Sequence, residues 1–226
     1  MSARLLLVAI LVSAAAMGSQ ETVLAAATAP SLSPVGPDSV WKPPADFHAA
    51  FHRACEKADA RFGQCFTEQM QKAGAPATAV AFARRIENQG SLRAFRKRGK
   101  VDLAHAEYPY RANENQVCLL VNGQPATIDV DDPALLDKKA LEANPRHASL
   151  LKSHPNVTLF PGPGGIARGP LAQNLEGDGQ RFIVAYSLRD DCHACEVLGQ
   201  VYIQFLFDVE GRFRDTEVDR SWARSA

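Results

Sequence analysis

Five cysteines are the residues of this chain best equipped for chemistry, and two of them stand three apart in Cys192-His193-Ala194-Cys195. A Cys-x-x-Cys pair can exchange thiol for disulfide, hold a metal, or close a short structural loop. Asp190, Asp191 and Glu196 flank the pair and His193 lies inside it, so 190–196 is the leading candidate binding segment. Cys55 and Cys65 are ten residues apart, and Cys118 sits in the apolar run Val-Cys-Leu-Leu-Val.

Which chemistry the Cys-x-x-Cys performs depends on the elements that hold it. Residues 181–188 (RFIVAYSL) read as a strand, and within 197–209 the residues Val201, Ile203 and Phe205 alternate with Tyr202, Gln204 and Leu206. Asp208-Val209-Glu210-Gly211 predicts a turn, and 212–218 a returning strand. The motif therefore falls between two antiparallel strands. A thioredoxin-like dithiol would need it at a helix N-terminus, which lowers the first thiol's pKa. A covalent c-type haem would need histidine directly after Cys195, where Glu196 stands. A structural zinc site needs four ligands, and there is no second Cys-x-x-Cys. His48 and His52 share a helix face by their spacing but lack the glutamate of a metalloprotease helix. The expectation is a Cys192–Cys195 disulfide, with no metal and no cofactor.

The remaining elements predict an α+β fold with N-terminal helices packed on a C-terminal antiparallel sheet. Residues 28–45 form a Pro- and Ser-rich lead-in whose one apolar anchor is Trp41. A single domain over 46–226 follows, helical over 46–100 and sheet-rich over 101–226. Asp46 is the expected N-cap of a first helix carrying Phe47, Phe51, Ala54 and Ala58. Gly63 interrupts before a second helix over 64–72, stopped by Gly74, and a third runs over 77–88 to Gly90. Two packed helices would bring Cys55 and Cys65 into bonding range. Cys118 is left as a buried thiol in a strand over 117–122, with a second strand over 126–130. Asp132-Pro133 starts a helix that ends at Asn144-Pro145, and 156–179 reads mostly as an ordered loop.

Export follows from the N-terminus. Arg4 precedes the uncharged apolar run 5–18, and small residues after it make 1–27 a signal peptide; a retained anchor is the alternative. The run is shorter than the about 20 residues of a spanning helix, and no later segment is apolar enough to span. With 25 basic and 25 acidic side chains, no global field steers the chain to nucleic acid or membrane. Arg93, Arg96, Lys97, Arg98 and Lys100 read as a solvated basic turn, with an anionic partner as the alternative, while Asp129, Asp131 and Asp132 lack the spacing of a calcium loop. No nucleophile elbow, phosphate loop or zinc-protease motif occurs.

The stretches 108–115 (YPYRANEN), 119–123 (LLVNG), 128–132 (IDVDD) and 192–195 (CHAC) resemble a group of exported bacterial proteins with no assigned function. The resemblance covers most of the mature chain and implies a periplasmic or secreted protein; it carries over no catalytic residue. Loops of periplasmic lysozyme inhibitors are an analogy for a cysteine-closed loop on a β-scaffold, though their spacing and flanks differ. The expected function is a non-enzymatic binding or inhibitor-like module that presents His193 to a protein partner in the cell envelope. A redox or metal role for Cys192, His193 and Cys195 is the alternative, and the oligomeric state stays open.

Overall fold

The computed structural model describes residues 33–57, 61–111, 115–135, 138–161, 171–175, 177 and 179–218. The expected signal segment, Ala58, and residues 112–114, 162–170 and 219–226 lie outside them.

The chain is an α+β fold. Helices α1 (Phe47–Cys55), α2 (Phe62–Lys72) and α3 (Ala77–Arg85) come first. Strands β1 (Ser91–Arg96), β2 (Asp102–Glu107), β3 (Gln116–Val121) and β4 (Thr127–Asp129) then form an antiparallel meander. Short helices α4 (Lys138–Glu142) and α5 (Pro145–Ser153) lead to the second sheet. That sheet contains β5 (Val157–Pro161), β6 (Leu171–Leu175), β7 (Gly179–Asp190), β8 (Val197–Phe207) and β9 (Phe213–Val218). Its order is β5-β7-β8-β9, and β6 pairs with β7 beside β5, so β5 and β6 share one edge of the long strand. Among the described residues no helix is long and apolar enough to cross a membrane.

The central strands β2 and β3 of the first sheet are buried on both faces, and the sequence of β3 shows why. A strand covered on both sides reads as a continuous apolar run rather than an alternation, as Val117-Cys118-Leu119-Leu120-Val121 does. Val117, Leu119 and Val121 join Leu92, Phe82 and Ile86 on the helix side. Cys118 and Leu120 join Leu103 and the inner residues Phe182, Val184, Tyr186, Ile203 and Phe205 of the second sheet. The order of layers is thus helices, first sheet, second sheet. Tyr186 ties the sheets, its hydroxyl donating to the Val130 carbonyl at 2.6 Å. Gln180 does so again, accepting from the Val101 N–H at 2.8 Å and donating to the Arg98 carbonyl at 3.1 Å.

Several expectations are corrected. On α1 the buried stripe is Phe47, Phe51 and Cys55, while Ala54 is exposed, and Asp46 holds the N-cap position without a side-chain cap bond. Gly63 lies inside α2 rather than before it. Gly74, at φ +78°, does end α2 as expected: its N–H bonds Gln71 and that of Ala75 bonds Met70, the pairing of a Schellman motif. α3 ends at Arg85, and the chain turns through Glu87 and Asn88, both at positive φ. Gly90 serves a close approach instead, since a Cβ there would collide with the Glu107 carbonyl oxygen. The lead-in has two anchors, because Val35 is buried as well as Trp41. Its Trp41 N–H bonds the Leu92 carbonyl at 2.9 Å, which adds it to the β1 edge.

The helical part ends earlier than residue 100, since β1 begins at Ser91. A β-bulge between Leu92 and Ala94 breaks the period-two signal there. Pro145 opens α5 rather than closing the helix before it, as a proline can at the first helical position. The segment 156–179, expected mostly as an ordered loop, contains β5 and β6.

The disulfides are Cys55–Cys65, with Cα atoms 6.0 Å apart, and Cys192–Cys195, at 5.0 Å. Cys118 is free and buried, and burial pushes its thiol pKa well up. Replacing Cys55 and Cys65 together by alanine should cost about 2–3 kcal/mol, the loop-closure value for so short a ring. Urea unfolding of the oxidised wild type and the double variant measures it, and equal midpoints would contradict the staple.

Candidate functional site

The 12-residue β7 and 11-residue β8 form a long hairpin whose tip carries the Cys-x-x-Cys. Pairing continues to Arg189↔Val197, with a bulge between Leu188 and Arg189. Asp191 then turns the chain at φ +72°. Within the turn the Cys192 N–H bonds the Asp190 carbonyl and the Cys195 N–H bonds the Cys192 carbonyl, both at 3.0 Å. The disulfide closes this turn covalently. The motif is therefore a hairpin tip and does not stand at the N-terminus of a helix, as a thioredoxin-like dithiol would.

Three side chains brace the tip from outside the motif. Arg189 Nη1 donates to the Cys195 carbonyl at 2.7 Å. His154, just after α5, places Nδ1 3.5 Å from Asp190 Oδ2. Phe160 on β5 meets the His193 ring edge-on, with centroids 5.3 Å apart. Asp191, Cys192, His193, Ala194 and Glu196 are exposed and Cys195 is half-buried. The four expected binding residues thus share one tip, but they are not equivalent. Asp190 and His193 rest on neighbouring elements, while Asp191 and Glu196 face outward.

Sequence reasoning missed His154 and Phe160. Neither carries a spacing signal toward Cys192, and only the β5–β7 register, with Val157 opposite Asp190 and Phe160 opposite Ser187, brings them there. Recognising Val157-Thr158-Leu159-Phe160 as a strand would have been the available clue.

The other candidates are accounted for by local partners. His48 Nδ1 is 3.3 Å from the Tyr110 hydroxyl and the His52 ring lies edge-on to Tyr110 at 5.2 Å, so one phenol engages both imidazoles. Burial pushes the Tyr110 pKa up. Of the basic cluster, Arg93 lies on β1 rather than in a turn and pairs with Glu107 at 2.8 Å, and Lys97, just after the strand, pairs with Asp102 at 3.1 Å. Asp129 Oδ1 accepts the Asp131 N–H, and Asp132 Oδ1 accepts the Ala134 N–H, both at 2.9 Å, so Asp132 caps a single 3-10 turn, Pro133–Leu135, rather than the start of the expected long helix. Among the described residues no three His, Cys, Asp or Glu side chains converge as metal ligands. Surface hollows among the described residues lie elsewhere, such as one of about 460 Å³ beside Leu175, Phe207 and Val209 and one of about 330 Å³ beside Lys57, Arg61 and Lys72.

No protein-family model, curated protein or solved structure matches the chain. What the tip can do is therefore set by its own geometry.

Proposed function

We propose that the chain is an exported, non-enzymatic binding module, inhibitor-like in form, that presents residues 190–196 to a protein partner in the cell envelope. The observation that carries this reading is the exposed, disulfide-closed tip braced by Arg189, His154 and Phe160. A loop ordered before contact loses little conformational entropy on binding, which is how a small protruding surface reaches useful affinity. The signal-like segment 1–27 and the two disulfides both suit an oxidising compartment. Membership in a group of exported bacterial proteins, on the stretches quoted above, belongs to the same proposal.

The expected result is that His193→Ala weakens capture of the envelope partner by about tenfold, the effect of a modest hot spot. The thermal midpoint stays unchanged, because the ring is exposed and its contact with Phe160 is an edge-on one at the surface. A partner whose affinity is indifferent to both His193→Ala and Asp191→Ala overturns the reading.

One observation favours a second reading, thiol–disulfide exchange. Cys192 is exposed, whereas Cys55 of the other bond is only 1% exposed. Exposed disulfides are the ones that thiols reach and reduce. Native alkylation and intact-mass analysis after mild reduction distinguish the two. A binding module keeps both bonds, while selective opening of Cys192–Cys195 moves the assignment to redox chemistry.

A further inference from the structure

His105 is the most anomalous side chain in the interior. It is 4% exposed, and among the described residues neither ring nitrogen has a hydrogen-bond partner. Buried polar groups are nearly always satisfied, so an imidazole with both nitrogens unpaired costs stability that a leucine there would not. Its place in the fold is specific. On β2, residues two apart share a face, so His105 shares the face of Leu103, which packs into the core between the two sheets. Directly opposite on β3 stands Cys118, the free and buried thiol of the same core.

The surroundings suit a neutral ring and oppose a charged one. From β1, Ala94 pairs with His105, and Arg96 lies on the same face two residues on, its cation disfavouring a second positive charge. From β3 the facing group is the Cys118 thiol, kept neutral by burial. Asp129 and Asp131, at the end of β4, reach Cys118 and Tyr186 electrostatically. From β7, Tyr186 lies in the same core cluster as Leu103 and Cys118, and its hydroxyl is committed to the Val130 carbonyl. Burial first, and Arg96 second, hold the imidazole below its ordinary range.

We propose that His105 is an acid-sensitive release built into the interface between the two sheets: neutral, it packs opposite Cys118, and protonated, it parts β2 and β3 from the second sheet. The direction follows from linkage. A histidine whose pKa is lowered by folding binds its proton in the open form first. The stability that a neutral His105 lends the closed form is therefore full above about pH 6.5 and declines as pH falls below it. β7, the strand that runs to the Cys192–Cys195 tip, is tied to the first sheet by Tyr186, so the interface that loosens also supports that hairpin.

Cys118 is a built-in reporter, since the other four cysteines are paired. The test is the rate at which 4,4′-dithiodipyridine, which reacts with thiols in acid, modifies Cys118 of the oxidised chain between pH 7.5 and 5. Each rate is divided by that of the urea-unfolded chain at the same pH. One-proton linkage predicts a rise of up to about tenfold per pH unit below about 6.5. His105→Leu should be flat over this range, and His105→Gln, also uncharged, provides the same comparison should the leucine variant fold poorly. A wild-type profile flat to pH 5, or a rise of the same size in a folded His105 variant, overturns the proposal.

Discussion

Asp102→Ala should destabilise the chain by about 4 kcal/mol, within the range for stranding the partners of a buried charge. Asp102 opens β2, its side chain is fully buried, and it is the hub of the β1–β2 turn. One carboxylate oxygen accepts the N–H groups of Arg98 at 2.6 Å and Gly99 at 3.2 Å. The other accepts Asn122 Nδ2 at 2.9 Å and Lys97 Nζ at 3.1 Å. Asn122 continues the network to the lead-in, accepting the Val35 N–H at 2.7 Å and donating to the Val35 carbonyl at 2.9 Å. Removing the carboxylate strands two backbone donors and loosens Asn122, whereas the bond to exposed Lys97 contributes little.

The same carboxylate sets a pH dependence. Burial alone would raise its pKa, but hydrogen bonds from Arg98, Asn122, Gly99 and Lys97 outweigh that and hold it below the usual carboxylate value. A carboxyl depressed by folding contributes its stability above the unfolded value, about 4, and loses it as pH falls through the folded one. Asp102→Asn should therefore start lower at pH 7 and decline less between pH 4 and 2. Urea midpoints across that range measure both features, and an Asn variant as stable as wild type at pH 7 would contradict the hub.

Phe182→Ala should cost a comparable 3–5 kcal/mol, the range for opening a phenylalanine-sized cavity in a packed core. Phe182 is fully buried on the inner face of β7, opposite Phe205 on β8 and edge-on to Phe207 at 5.7 Å. Its core includes Leu103 and Leu120 of the first sheet, so the cavity would open between the sheets. Leu206, one residue from Phe205 and half-buried on the outer face, provides the contrast. Leu206→Ala should cost less than about 1 kcal/mol, as a residue that leaves no enclosed void. Equal losses at the two positions would contradict an inner, core-facing Phe182 and an outer Leu206.

Local pattern sufficed where one signal dominated. The alternation of Val201, Ile203 and Phe205 places β8 with a core face and a half-exposed face, and that is the burial observed. Gly74 ended α2, and the Cys-x-x-Cys fell between antiparallel strands because nothing around it has a helical period. The Cys55–Cys65 pairing was legible from ten-residue spacing across a helical corner. Pattern failed where two signals collided. Asp102-Leu103-Ala104-His105-Ala106-Glu107 is buried on both faces yet carries an aspartate and a histidine, so β2 shows neither alternation nor an apolar run. The short strand Val157–Pro161 was obscured by the prolines and glycines that follow it.

The sequence by itself determined the α+β class, the order of helices before strands, the cysteines available for pairing and a Cys-x-x-Cys on a hairpin. These are local properties, set by side-chain period and by backbone preference within a few residues. Only the tertiary structure decided that the strands divide into two sheets with the first buried between helices and the second. It alone set His154 and Phe160 against the tip, Tyr110 between His48 and His52, and His105 opposite Cys118. Each of those contacts depends on register between segments distant in the chain, and register is chosen by how whole faces pack rather than by any residue's own preference.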